Sequence, residues 1–329
     1  MKKRRTAGTI TIIAVIAVSC MGLDLFSGLS ATPDQNPGGS LGASAFLGES
    51  GNPKPEFSVF ARVLDENSVV VTSYDALGKA LSEDNGITTV YIGADITAAA
   101  NGIVINGNKE SVVIDGRPPG ESRNYTFTQA QSNQLEHVIL VSDPNVKNVA
   151  LRNITVEGKN FFGVVSATNE VRGLIVTHEN VRYTGPQAVY NRRGTTRVID
   201  SAYVLRPTGG TATNELAETL HTEMVGTVDI RASSSSNAVL WLIGADSTLI
   251  IRENARVSVA TDNYFIYTNG YAPSVTMENN ASLILSDRRG FTFETQSVST
   301  FTMAEGASLH IEQHSPQSFA ALRVSKLFQ

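Results

Sequence analysis

The sequence predicts an all-β protein built as a parallel β-helix, with three strands per coil of about 26 residues and a short N-terminal capping helix. Three observations predict it. The C-terminal part repeats every 26 residues without a gap. Apolar residues inside each repeat alternate with period two, the pattern of a strand with one buried face. Charged residues are only 17% of the chain, against a usual share of about 25%, and Ser, Thr and Asn fill the difference.

The repeat rows begin at Asn237, Asn263, Arg289 and Ser315. Trp241, Tyr267, Phe293 and Phe319 form one column, and Leu249, Val275, Phe301 and Leu327 a second. Ile251, Met277 and Met303 form a third, and Ala255, Ala281 and Ala307 a fourth. Val257, Leu283 and Leu309 follow, then Val259, Leu285 and Ile311. One row cannot bury its own apolar face. Rows stacked about 4.8 Å apart can, with like residues piled on like. The aromatic column reads most simply as an internal stack. The alternative is an exposed strip on which carbohydrate stacks.

The same grammar runs upstream with looser spacing, as in Val112–Gly116 and Asn148–Val156. Ile154, Val181, Val204 and Ile230 read as matching positions, at steps of 27, 23 and 26 residues, and roughly nine coils fit between Ile87 and Gln329. Asn101, Asn106, Asn108, Asn153, Asn180, Asn254 and Asn280 fall at coil turns, where Asn tolerates left-handed backbone and can hydrogen-bond a neighbour. An open coil exposes an unpaired sheet edge, so the ends need covers. Thr72 or Ser73 is placed to N-cap a helix carrying Leu77 and Leu81. The fourth row stops after 15 of 26 residues, so that end expects a partner, self-association or further chain.

Ahead of the β-helix, assigned to residues 57–329, lie two segments. Residues 1–31 read as an export segment: Lys2, Lys3, Arg4 and Arg5, then an apolar run from Ala7 to Met21. Three endings fit it: lipidation at Cys20 in a lipoprotein-like Ala17-Val18-Ser19-Cys20 box, cleavage near Ser30-Ala31, or retention uncut. All three place the rest of the chain outside the cytoplasm, touching membrane only through this segment. Residues 32–56, rich in Pro, Gly, Ser and Asn, read as a flexible linker.

Composition narrows the function. The 329 residues carry 26 Lys+Arg, 31 Asp+Glu and one Cys. Residues 32–329 hold 22 basic against 30 acidic residues, a net charge of −8, which disfavours nucleic acid as a partner. A single Cys excludes an internal disulfide, a Cys-built zinc site and a CxxC redox pair. Asp115, Asp143, Asp200, Asp229, Asp246, Asp262 and Asp287 are spread about one per coil instead of paired. His178-Glu179 and Glu218-x-x-His221-x-Glu223 lack metalloprotease spacing and read as structural. No catalytic, cofactor or metal set emerges. Tyr183-Thr184-Gly185-Pro186-Gln187, followed by Arg192-Arg193-Gly194, is the most unusual loop. Tyr183, Pro186, Gln187, Arg192 and Arg193 are its candidate ligand contacts, and the alternative is a turn that redirects the coil.

Several of these stretches resemble the pectate-lyase-like adhesive domains of Gram-positive surface proteins. They are Tyr74-Asp75-Ala76-Leu77, Thr89–Ile92, Val113–Gly116, Leu151–Ile154, Glu179–Gln187 and Glu215–Ile230. The resemblance covers about Ser68 to Ile230, and its Gly-Pro-Gln turn is the most specific part. It implies a right-handed β-helix outside the cell, serving adhesion, with no catalytic residues to carry over. Neither an LPxTG signal nor a WxL-type domain, frequent at the ends of such proteins, is present, which leaves attachment to Cys20, the retained leader or something outside this sequence.

The expectation is a non-catalytic surface adhesin that offers one flank to a surface glycan or to a host or cell-wall protein. The alternative is a lyase or glycoside hydrolase acting on acidic polysaccharide. That reading needs carboxylates within about 10 Å of each other on one concave face.

Overall fold

The computed structural model describes residues 10–14, 61–99, 102–129, 137–208, 215–233, 238–262, 264–268, 271–287 and 299–313. Cys20, the linker 32–56, Phe293, Phe319 and the partial fourth row lie outside them.

Parallel strands wind into three faces. The first face runs Ser68–Val71, Thr89–Ile92, Ser111–Asp115, Asn148–Arg152 and Ile175–Glu179. It continues through the ends of Val189–Ile199 and Ala217–Val225 into Thr248–Ile251, Ser274–Met277 and Ser299–Met303. The second face is a separate 9-stranded sheet from Ile96–Thr97 to Ser308–Gln313. The third face comprises Ile103–Val104, Ile139–Val141, Val165–Ala167, the starts of Val189–Ile199 and Ala217–Val225, Leu240–Leu242 and Ile266–Tyr267. This is the β-helix the sequence predicts, right-handed as parallel crossovers are. Seven coils have all three strands, and the last two are described for their first two strands.

Alternation drives the winding. Leu249, Val275 and Phe301 stack in register inside, as do Val257 and Leu283. Ile251 with Met277, Ala255 with Ala281, and Val259 with Leu285 fill the neighbouring columns. Burying each large aliphatic side chain contributes about 1.5–3 kcal/mol. Two of the upstream matches shift. Ile154 and Val181 share a column, one residue before the paired Thr155 and Arg182, whereas Ile230 falls in the next inward column with Val156, Tyr183 and Tyr203. Val204 is 40% exposed, and Tyr203 takes the inward place between Tyr183 and Ile230. A strand's faces exchange with every residue, so an error of one residue turns the side chain outward.

The corner between the first and second faces is a single left-handed residue. Asn153, Asn180, Asp200, Asn254 and Asn280 have φ of 46–58°, and Gly226 has φ of 66° at the same corner. Their side chains form a ladder. Asn180 Nδ2 donates to Asn153 Oδ1 at 2.8 Å, and Asn153 Nδ2 donates to Asp115 at 3.1 Å.

The helix Tyr74–Ser82 closes the N-terminal end. Ser73 is its N-cap, its Oγ accepting from the Ala76 N–H at 3.2 Å, while Ala76, Leu77, Ala80 and Leu81 face the core. At the other end Ala307, Leu309 and Ile311 are only partly buried. Ile10–Ala14, within the segment assigned to export, is a strand antiparallel to Ser299–Met303. Among the described residues no helix is long and apolar enough to cross a membrane.

Candidate functional site

The loop singled out by sequence divides between inside and outside. Tyr183, Pro186 and Gln187 are buried. Tyr183 occupies the inward position of the strand Arg182–Gly185, and its hydroxyl donates to the Gln187 carbonyl. Gln187 Nε2 donates to the Val189 carbonyl at 3.1 Å. Tyr203 packs against Tyr183 at 6.1 Å, and its hydroxyl meets His178 Nδ1 at 3.1 Å. These three residues therefore lock the coil from within and have no surface for a ligand. That corrects the contact role expected for them: strand alternation turns Tyr183 inward, and Pro186 and Gln187 belong to the continuous buried run 185–189 that joins the two strands.

Arg192 and Arg193 are outside, placed there by a bulge. Asn191 pairs with Thr219 and Thr195 with His221, so four steps on one strand answer two on the next. Asn191 pins the bulge from beneath, its Nδ2 donating to the Leu174 and Thr195 carbonyls at 3.0 and 3.1 Å. A bulge re-aims side chains in this way next to many sites.

The third face carries the second feature. Its outward positions run in register from Tyr190 to Glu218, Trp241 and Tyr267. Leu240, Leu242 and Ile266 are buried, whereas Trp241 and Tyr267 are only partly so. The aromatic column is thus on the outer wall, which overturns its reading as an internal stack. Trp241 and Tyr267 meet edge to face at 5.4 Å. Farther toward the N-terminal end, Phe162 meets Tyr190 at 5.3 Å and His137 at 4.4 Å.

Two carboxyls sit among these rings. Glu218 lies 2.9 Å from Arg192 Nε, with only 7% of its side chain exposed. Burial pushes its pKa up to about 7, against the pull of Arg192. Glu215 is buried, and burial followed by the nearby Glu218 raises it well above the usual carboxylate range. Glu215 Oε2 and Trp241 Nε1 are buried without a hydrogen-bond partner.

Beside this strip, at the corner leading back to the first face, lies a groove of about 580 Å³. Arg172, Arg192, Arg193, Asn169 and Tyr271 line it, with Gly244 beneath. Gly173 N–H donates to the Arg193 carbonyl at 2.9 Å, which sets Arg172 and Arg193 on adjacent coils.

The remaining candidates are occupied elsewhere. Asp115 accepts from the Arg117 N–H and from Asn153, and Asp200 accepts from the Thr227 N–H. Glu179 pairs with Arg152, while Glu223 is held between Arg197 and Arg252 at 2.7 and 2.6 Å. His221 Nδ1 contacts Thr248 Oγ1 at 3.0 Å. Among the described residues no three His, Cys, Asp or Glu side chains gather as metal ligands.

Residues 68–190 match the family described as "Putative pectate lyase-like adhesive domain". The match runs from the first strand before the capping helix to Tyr190 of the outer column, within the stretch on which the resemblance rested. No curated protein matches the chain. Among solved structures the chain is similar to the L. reuteri 53608 SRRP, with a TM-score of 0.47 and 15% identity, over 75% of this chain and 97% of that one.

Proposed function

We propose that this chain, whose residues 68–190 match the family described as a putative pectate lyase-like adhesive domain, is a non-catalytic cell-surface adhesin that binds glycan along the outer wall of its third face. The outward column of Tyr190, Trp241 and Tyr267 carries the reading. Aromatic rings with one face in solvent offer apolar area at low entropic cost, and the C–H faces of sugars pack on such rings. The same reading includes export through the segment 1–31 and anchorage through a lipid on Cys20 or the retained leader, for which the strand Ile10–Ala14 would have to leave Ser299–Met303. A host or cell-wall protein remains the other class of partner for the same surface.

One observation favours a second reading, a glycoside hydrolase. Glu218, pushed up to about 7, has the protonation range of a general acid and stands between two aromatic positions. Glu215 is its nearby carboxyl, but at 1% exposure it offers a substrate little access.

One experiment tests both. The purified chain is screened on a glycan array and assayed for reducing-sugar and unsaturated products from the glycans it binds. Saturable binding without product, lost in Trp241→Ala, is the expected result. Product formation that Glu218→Gln abolishes would replace the adhesin by the hydrolase. Binding that survives Trp241→Ala and Tyr267→Ala would move the site elsewhere.

A further inference from the structure

The groove beside the aromatic column differs from the rest of the surface in charge. Residues 32–329 carry a net charge of −8, yet three arginines and no carboxylate line this one depression. Arg192 is committed to Glu218. Arg172 and Arg193 have no ion pair among the described residues, although Arg193 stands close enough to Glu170 to help lower the pKa of that exposed carboxyl.

The local fold brings the two together and turns them outward. They stand on adjacent coils, joined by the hydrogen bond from Gly173 to the Arg193 carbonyl. The bulge between Asn191 and Thr195 lifts Arg193 out of the wall. A Cβ on Gly194 would run into the Leu174 carbonyl and Asn191, so only glycine lets the chain return to the coil there. Tyr271, 41% exposed, forms another side of the groove, four residues after Tyr267 and ahead of the next first-face strand. Gly244 has φ of 138°, and a Cβ there would stand 2.7 Å from Leu220, so a side chain at this position would disturb the groove.

Guanidinium groups hold carboxylate and sulfate oxygens through paired N–H donors, with a geometry a single ammonium lacks. An aromatic side chain beside them takes the apolar face of a ring. Two arginines and a tyrosine around a groove of this volume therefore match a sugar that bears an anion.

We infer that the groove is an anionic-saccharide subsite, with the carboxylate or sulfate of the sugar on Arg172 and Arg193 and its ring against Tyr271. The inference rests on the glycan-binding reading above and adds the class of sugar. Neutral units of the same glycan continue over Trp241 and Tyr267. Of the described carboxyls nearby, Glu218 is compensated by Arg192 and burial raises the pKa of Glu215, while the exposed Glu170 beside Arg193 is the one charge a bound anion competes with for that guanidinium.

The test is direct titration of the purified chain with four probes. A hyaluronan tetrasaccharide carries carboxylate, sulfated lactose carries sulfate, and cellotetraose and lactose are neutral. Loss of one charged contact of this kind changes affinity by about tenfold. The expected result is an acidic probe bound at least about tenfold more tightly than its neutral counterpart. That preference disappears in Arg172→Ala/Arg193→Ala, weakens as salt rises, and is unchanged in Arg231→Ala on the second face. Both arginines are exposed or nearly so, and an unchanged thermal midpoint verifies that the double variant is folded. Neutral and acidic probes bound alike, or a double variant that keeps the preference, overturns the inference while leaving glycan binding in place. Failure of all four probes, together with a blank glycan array, overturns both. Which acidic probe binds distinguishes carboxylate from sulfate.

Discussion

Trp241 stands edge-on to Tyr267, 5.4 Å between ring centres, on the outer wall and one coil apart. Their backbone neighbours Leu240, Leu242 and Ile266 carry the packing beneath. Binding and stability should therefore separate at this pair. Trp241→Ala is expected to lower glycan affinity at least about tenfold, with a stability cost near the ~1 kcal/mol of a lost aromatic pair. Leu249→Ala, in an inward column, should cost about 2–5 kcal/mol by opening a cavity and leave affinity per folded molecule unchanged. Urea unfolding beside glycan titration reads both. A large stability loss in Trp241→Ala would return the column to the core.

The contrast also shows what a repeat discloses. The columns headed by Leu249, Ile251, Ala255, Val257 and Val259 were legible because inward residues must recur wherever coils stack. The column headed by Trp241 recurs just as faithfully, yet it faces outward. Periodicity finds columns, and only the phase against the buried neighbours decides the face. Val204 and Tyr203 repeat the lesson at one-residue resolution. The tyrosine, glutamine and proline of the Gly-Pro-Gln loop stood out by composition, and that rarity reflected an internal lock. The groove was half legible: Arg192 and Arg193 drew notice, whereas Arg172 and Tyr271 join them only through coil stacking. No motif encodes that meeting.

Acid should destabilise the protein through His178. It is buried against Tyr203, and burial pushes its pKa down from 6.5 to about 4. Above pH 6.5 the imidazole is neutral in both states and contributes nothing pH-dependent. Between 6.5 and 4 the unfolded chain takes up a proton that the folded chain refuses, so stability falls as pH falls. The full effect is about 3 kcal/mol at most. Comparing urea midpoints at pH 7 and pH 4.5 for wild type and His178→Gln measures it. The expected outcome is a smaller acid loss in the variant. An equal loss in both would show that His178 is not the group responsible.

The left-handed corner at Asn180 combines backbone tolerance with a hydrogen bond to Asn153. Asn180→Gly keeps the conformation and loses the bond, at a cost of about 1 kcal/mol. Asn180→Ala loses both and should cost about 1–2 kcal/mol more, since a methyl side chain disfavours φ of 53°. Thermal unfolding of the pair separates strain from bonding. Equal midpoints for the two variants would mean that the corner stores no conformational preference.

Glu215 provides the opposite pH sign to His178. Burial, with Glu218 nearby, lifts its pKa well above the ordinary carboxylate value. Over the interval between those values the folded chain holds a proton that the unfolded chain has released. Stability is therefore complete below about pH 4.5 and declines as pH rises. Glutamine mimics the protonated acid in shape and cannot ionise. Glu215→Gln should therefore match wild type near pH 5 and exceed it in alkaline solution, when both are followed by urea unfolding across pH. A variant less stable than wild type at every pH would show that the carboxyl is charged and paired in the folded protein.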